Sequence, residues 1–169
     1  MTIAFIGGIR TGYVMEIIAG VNEASMKAGY SLKLFETVTG EGIEEIAGRC
    51  LGELVAGVIC RALSEPQLER LREELEPEGV PIVLVDNSFP HDWCPRVVSD
   101  DIEGGRLAVA HLISSGRKRI AFASLNAKAG YSVDRREGYR KGLRQAGLPF
   151  DKKLLLEFPP GSETDTEIN

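Results

Sequence analysis

The sequence predicts an α/β protein built on a doubly wound parallel sheet, a Rossmann-like arrangement, and three observations lead there. Short apolar runs alternate with helical patterns from the first residue onward. Most of the runs are continuous, as in strands buried on both faces, while residues 31–35 alternate, with Leu32 and Leu34 against Ser31 and Lys33. Each helical stretch between them is long enough to cross from one parallel strand to the next.

The elements follow in order. Ile3-Ala4-Phe5-Ile6 is a buried strand that stops at Gly7-Gly8. Residues 13–28 repeat Val14, Ile17, Ile18, Val21 and Ala24 at helical spacing, and Gly29 closes that helix. Residues 31–35 read as a second strand, 43–54 as a helix, and 57–60 as a third strand. An amphipathic helix over 65–75 carries Leu68, Leu71 and Leu75 on one side, with Pro66 in its first turn. Residues 81–85 form a strand ended by Asp86-Asn87. The chain is then irregular through 88–95, which holds the single tryptophan, Trp93.

Beyond that stretch residues 96–99 are extended. Asp100 is placed to cap a helix, with Glu103 in capping-box position. That helix runs to Gly116, a further buried strand covers 120–123, and a helix over 134–146 ends at Gly147. Leu154-Leu155-Leu156 is one more candidate strand, and the Pro- and Gly-containing tail has no periodicity.

Composition narrows the function. At 43% hydrophobic and 27% charged the chain is an ordinary globular protein. No apolar run approaches the roughly 18 residues of a membrane span, and the N-terminus has neither a basic leader nor a cleavage site. A cytoplasmic location follows as an expectation. The net charge of −5 is the wrong sign for a segment that neutralises phosphates. Cys50, Cys60 and Cys94 have no metal-type spacing, and His91 and His111 stand alone, so neither a metal nor a cofactor is expected.

No catalytic signature is present. The glycines after the first strand are not spaced as GxGxxG, and no acidic residue ends the second strand as a ribose anchor, Glu36 being the nearest. Asp100-Asp101 could suggest a metal site, but an N-cap plus a first-turn acid explains the pair more simply.

Binding is better supported, because open α/β sheets hold ligands outside the carboxyl ends of their strands. Those ends carry Gly8 and Ile9, then Arg61, then Asp86-Asn87; Arg135 lies just inside the last helix. Guanidinium and carboxylate groups suit a hydroxyl-rich ligand. Tyr13, Phe89 or Trp93 could stack on a sugar or base face, although Asp86 could equally be a turn residue and Trp93 a hydrophobic anchor.

One stretch is more specific. VVSDDIEGGRLAVAHLISSGRKRIAF, residues 97–122, resembles the middle of the effector-binding domain of the LacI/GalR repressor family, with Gly116-Arg117 where that family has Gly-His. The segment Ser132 to Leu143, with Arg135, Gly138 and Tyr139, resembles the family's following motif. The first helix, Gly57-Val58-Ile59 and the strand ending at Asp86 also fit.

The resemblance implies a periplasmic-binding-protein-like type I fold, with an N-terminal lobe over 1–98 and an incomplete second lobe over 99–169. It implies a hinge at Ser99, Asp100 and Asp101. Effector contacts would come from Arg135, Asp86, Arg61, Gly8, Ile9 and Tyr13. The function implied is small-molecule sensing, with a sugar as the expected effector, in a homodimeric transcription regulator rather than an enzyme. DNA would be reached only through a helix-turn-helix head absent from this sequence. A solute-binding protein of a sugar transporter is the alternative.

Overall fold

A computed structural model describes residues 1–9, 12–37, 42–86, 92–124 and 130–158. The chain divides into two compact units, Met1–Val98 and Ser99–Asn169.

The first unit is a five-stranded parallel sheet. Its strands are β1 (Thr2–Ile6), β2 (Ser31–Phe35), β3 (Gly57–Arg61), β4 (Ile82–Val85) and β5 (Arg96–Val97), in the order β2-β1-β3-β4-β5. Alternate side chains of each strand serve different faces. Ala4, Ile6, Val58, Cys60, Ile82 and Leu84 join one core with α2 (Ile43–Gly52) and α3 (Glu65–Leu75). Phe5 faces the other way, packing with Val14 and Ile18 of α1 (Gly12–Lys27) and with Ile59. Leu68, Leu71 and Leu75 are each fully buried at i, i+3 and i+7 of α3. Each contributes about 1.5–3 kcal/mol of transfer free energy. The connection from β1 leads to β2 on one side, whereas β3 lies on the other side of β1. The winding therefore reverses between β1 and β3, and it is beyond the carboxyl ends of strands at such a reversal that open α/β sheets hold ligands.

The second unit contains α4 (Asp101–Ser114), β6 (Phe122–Ser124), α5 (Gly130–Gln145), a 3-10 turn at Lys152–Leu154, and β7 (Leu155–Glu157). β6 and β7 pair in parallel, in register from Phe122 with Leu155 to Ser124 with Glu157. Glycines set the approach of α4 to α5. A Cβ on Gly105 would meet the carbonyl oxygen of Arg135, one on Gly138 the carbonyl oxygen of Ile102, and one on Gly142 the side chain of Val109. Behind this interface Val109, Ile120, Tyr139 and Leu143 form the core, and the Tyr139 hydroxyl donates to the Ile120 carbonyl at 2.9 Å.

Several boundaries differ from those expected. The strand placed at 120–123 pairs over Phe122–Ser124, because Ile120 is buried against Tyr139 before the ladder begins. The last helix starts at Gly130, four residues before the expected 134. The strand expected at 154–156 forms one residue later, as β7, with Leu154 ending the 3-10 turn. Asp100 caps α4 by accepting from the Glu103 N–H at 2.9 Å, but the Glu103 carboxylate turns to Arg106 at i+3 instead of completing a capping box.

Candidate functional site

Four strand and helix ends of the first unit bring polar groups together. β1 stops at Gly7, whose N–H donates to the Phe35 carbonyl at 3.0 Å. A Cβ on Gly7 would lie 2.6 Å from the Arg61 carbonyl oxygen, so only glycine lets the ends of β1 and β3 come this close. Arg61 is the last residue of β3, and in the register it faces Val85, the last of β4. Asp86 therefore stands one residue beyond, and its φ of +53° swings it out of the strand direction. Ala62 has a left-handed φ of +54° as well. Aspartate tolerates that region better than most residues, whereas alanine holds it at a cost of about 1 kcal/mol or more.

The result is an ion pair. Arg61 Nε and Nη2 donate to Asp86 Oδ2 at 3.1 and 2.7 Å, with the two side chains 17% and 23% exposed. The guanidinium carbon lies 5.8 Å from the centre of the Tyr13 ring. Tyr13 comes from the first turn of α1 and is 58% exposed, offering an aromatic face beside a fixed donor fork. Of the six expected contact residues, Arg61, Asp86 and Tyr13 are thus brought into one cluster. Gly8 is half-buried beside it, and Ile9 packs on the Phe5, Val14 and Ile18 cluster as an apolar anchor. Trp93 packs against the α2–α3 core, with the Arg72 guanidinium 5.2 Å from its ring centre. Phe89 and Asn87 lie outside the described residues.

The second unit holds Arg135 in the second turn of α5, inside the last helix as expected. Its Nε donates to Asp101 Oδ1 at 2.6 Å, and its guanidinium lies 5.3 Å from the Tyr131 ring centre. Asp101, 13% exposed, opens α4, so the arginine is tied to the segment expected to act as hinge. The Ser99 carbonyl accepts from the Asp101 N–H at 3.0 Å, and Asp100 is the helix cap. Near the α5 start, Ser124 Oγ and Ser132 Oγ share a buried hydrogen bond of 2.9 Å.

Sequence reasoning did not find the two Arg–Asp pairings or the Tyr131 ring. The strand register held one usable signal, since terminal residues of adjacent parallel strands are neighbours. Among the described residues no group of three or more His, Cys, Asp or Glu side chains is placed to hold a metal, and no helix is long and apolar enough to cross a membrane.

Residues 8–166 match the family of periplasmic binding proteins and sugar-binding domains of the LacI family. The chain belongs to that family. A HTH-type transcriptional repressor PurR of Actinobacillus pleuropneumoniae is 30% identical over 155 residues, covering 89% of this chain and 45% of the relative. A HTH-type transcriptional regulator CelR of Thermobifida fusca is 31% identical over 141 residues, covering 82% of this chain and 41% of the relative. Among solved structures, a transcriptional regulator CelR–cellobiose complex superposes with a TM-score of 0.77 at 28% identity, covering 92% of this chain and 50% of that one. Transcription regulator CcpA of Lactococcus lactis gives 0.76 at 26%, covering 93% and 58%. The fold is therefore periplasmic-binding-protein-like, and the chain spans about half the length of the curated relatives it matches.

Proposed function

We propose that this LacI-family chain is the effector-sensing part of a transcription regulator, with a binding role and no catalytic one. The observation that carries the reading is the Arg61–Asp86–Tyr13 cluster at the reversal point of the sheet, where α/β proteins take ligands. In this reading Arg61, Asp86 and Tyr13 contact a small effector of the sugar class, with Gly8 and Ile9 beside them. Arg135 contributes from the second unit, and Ser99, Asp100 and Asp101 form a hinge whose equilibrium the effector biases. A ligand shifts such an equilibrium only by its differential affinity for the two states.

The intact regulator would be a cytoplasmic homodimer that reaches DNA through a separate head. Curated relatives that are HTH-type regulators support this reading, as does a related regulator in complex with cellobiose. A solute-binding role has one specific support, that the matched family also includes periplasmic binding proteins.

The test is a thermal-shift screen against neutral sugars, sugar phosphates and purines, on this chain and on one lengthened to the relatives' span. Stabilisation by one ligand class supports a sensor. No stabilisation of either chain by any compound would remove the sensing role.

A further inference from the structure

From the uneven placement of its cations, we infer that the second unit carries a docking surface for the phosphate backbone of duplex nucleic acid, independent of base sequence. This goes beyond the effector reading and does not depend on it. The net charge of −5 is the sum of two unlike parts. Residues 1–98 carry fifteen acidic side chains to eight basic, whereas residues 99–158 carry seven acidic to twelve basic. Salt screens charges beyond about 10 Å at about 0.1 M, so an anion meets the local set rather than the total.

Within the second unit the charges are sorted again, along the strand direction. β6 and β7 are parallel, so their amino ends lie together. α4 leads into the amino end of β6 and α5 into that of β7, and the helices run side by side, Gly105 against Arg135 and Gly142 against Val109. The last turns of both helices and the segments after them therefore share one pole. It holds Arg117, Lys118, Arg119, Arg144, Lys152 and Lys153, all exposed. Asp151 lies among them, its carboxylate accepting from the Lys153 N–H at 2.9 Å. Most of the unit's acids lie toward the other end, where Asp100, Asp101 and Glu103 begin α4 and Glu157 ends β7.

The pairing differs in the same way. Arg106, Arg135 and Arg136 are held by Glu103, Asp101 and Glu157. None of the six cations at the pole forms an ion pair among the described residues. The helix dipole accounts for Arg144, in the last turn of α5, but its reach ends within that turn. Like charges left uncompensated repel one another and raise the energy of the folded unit, and a polyanion relieves that.

The chemistry of the pole favours nucleic acid over a protein partner. Protein interfaces have apolar centres and are poor in lysine, whereas nucleic-acid interfaces are polar and strongly positive. Within 115–119 and 144–153 Phe150 is the sole exposed large apolar side chain, and the Arg140 guanidinium already lies 4.9 Å from its ring centre. Single strands are gripped by several aromatic platforms. One covered ring among flexible cations suits phosphates rather than bases.

The experiment titrates a fluorescein-labelled DNA duplex with the full chain and follows anisotropy at about 50 and 200 mM salt. Each phosphate neutralised contributes about 0.9 to the slope of log affinity on log salt, so about four or more contacts cost at least about hundredfold over that range. Arg117→Gln, Lys118→Gln and Arg119→Gln combined should shallow the slope by about 2–3. Lys152→Gln with Lys153→Gln should shallow it by about 1–2, a second reading of the pole should the triple variant fail to fold in thermal melts. Lys27→Gln, Lys33→Gln and Arg70→Gln combined remove the same charge from the first unit, where each cation is paired with a glutamate, and should leave the slope unchanged. Absence of binding at the lower salt would overturn the inference, as would equal losses in the folded pole and first-unit variants. Displacement of the duplex by poly-glutamate at equal charge concentration would overturn it too, and would assign the pole to an acidic protein.

Discussion

Gly104 and Gly105 are neighbours on one helix, yet replacing each with alanine should move stability in opposite directions. A Cβ on Gly104 meets nothing within 4 Å, so Gly104→Ala only removes the helix penalty of glycine. That stabilises by about 0.5–1 kcal/mol. A Cβ on Gly105 would run into the Arg135 carbonyl oxygen, with the carbonyl carbon 3.2 Å away. Both obstacles are backbone, which cannot rotate aside, so α4 must lift from α5. Overpacking of this kind costs about 1–3 kcal/mol, which outweighs the propensity gain. For a unit of this size 1 kcal/mol moves the melting midpoint by about 4–8 °C, so the pair should separate by several degrees in opposite senses. Trp93 lies in the first unit and reports poorly on this event. Hydrogen exchange of the α4 and α5 amides is the better readout. Since the clash falls on the backbone of Arg135, Gly105→Ala should also weaken effector binding, whereas Gly104→Ala should not. Equal shifts of the same sign in both variants would refute the packing argument.

Other outcomes follow from the same geometry. Arg135→Ala removes a charged donor of about 1.5–3 kcal/mol, so effector affinity should fall more than tenfold in titration calorimetry while far-UV circular dichroism stays unchanged. Unaltered affinity would take Arg135 out of the site. Cys50 and Cys60 are fully buried, and burial pushes the Cys60 thiol well above its ordinary range, so a maleimide should label the native protein at Cys94 alone and all three cysteines after denaturation. Burial, with a smaller effect from the Asp151 charge, raises the Tyr139 pKa. The folded state then holds its proton longer than the unfolded chain, so this stabilisation is present below about pH 10 and is lost as pH rises further. Tyr139→Phe should flatten the alkaline limb of a stability–pH curve, and an unchanged limb would assign that loss to other groups.

Much of the fold could be read from the sequence because burial on both faces leaves unbroken apolar runs, and Gly29, Gly116 and Gly147 mark helix ends where the backbone is left-handed. The misplacements share one physical origin. An apolar run records burial, whereas a strand is defined by pairing, and Ile120 is buried without belonging to the ladder. The early start of α5 was hidden because Gly130-Tyr131-Ser132-Val133 has weak helix propensity; the turn is supported instead by the buried Ser124–Ser132 hydrogen bond. The candidate residues Arg61 and Asp86 could be picked out at strand ends. The Arg–Asp pairings could not, because Arg61 and Asp86 are 25 residues apart and Asp101 and Arg135 are 34 apart. No local pattern links residues at such distances. Asp101 also had a sufficient local explanation as a first-turn acid, which concealed its second role.

The residues that make the chain recognisable are mostly not those proposed to meet the effector. Within 97–122 and 132–143, Gly105, Gly138 and Gly142 set the helix approach, while Val109, Tyr139 and Leu143 fill the core behind it. These positions are coupled through backbone contact, so a change at one must be answered at another. Arg61 and Tyr13 lie outside both stretches, at a strand end and in a helix's first turn, where a side chain can be exchanged without moving the sheet. Arg135 and Asp101 fall in both groups. The Arg135 carbonyl touches Gly105 while its side chain reaches Asp101, so the interface that holds α4 on α5 also aims the guanidinium. A change of strand-end side chain in the first unit therefore leaves its sheet in place, whereas a shift of α4 against α5 would move the Arg135 guanidinium with it.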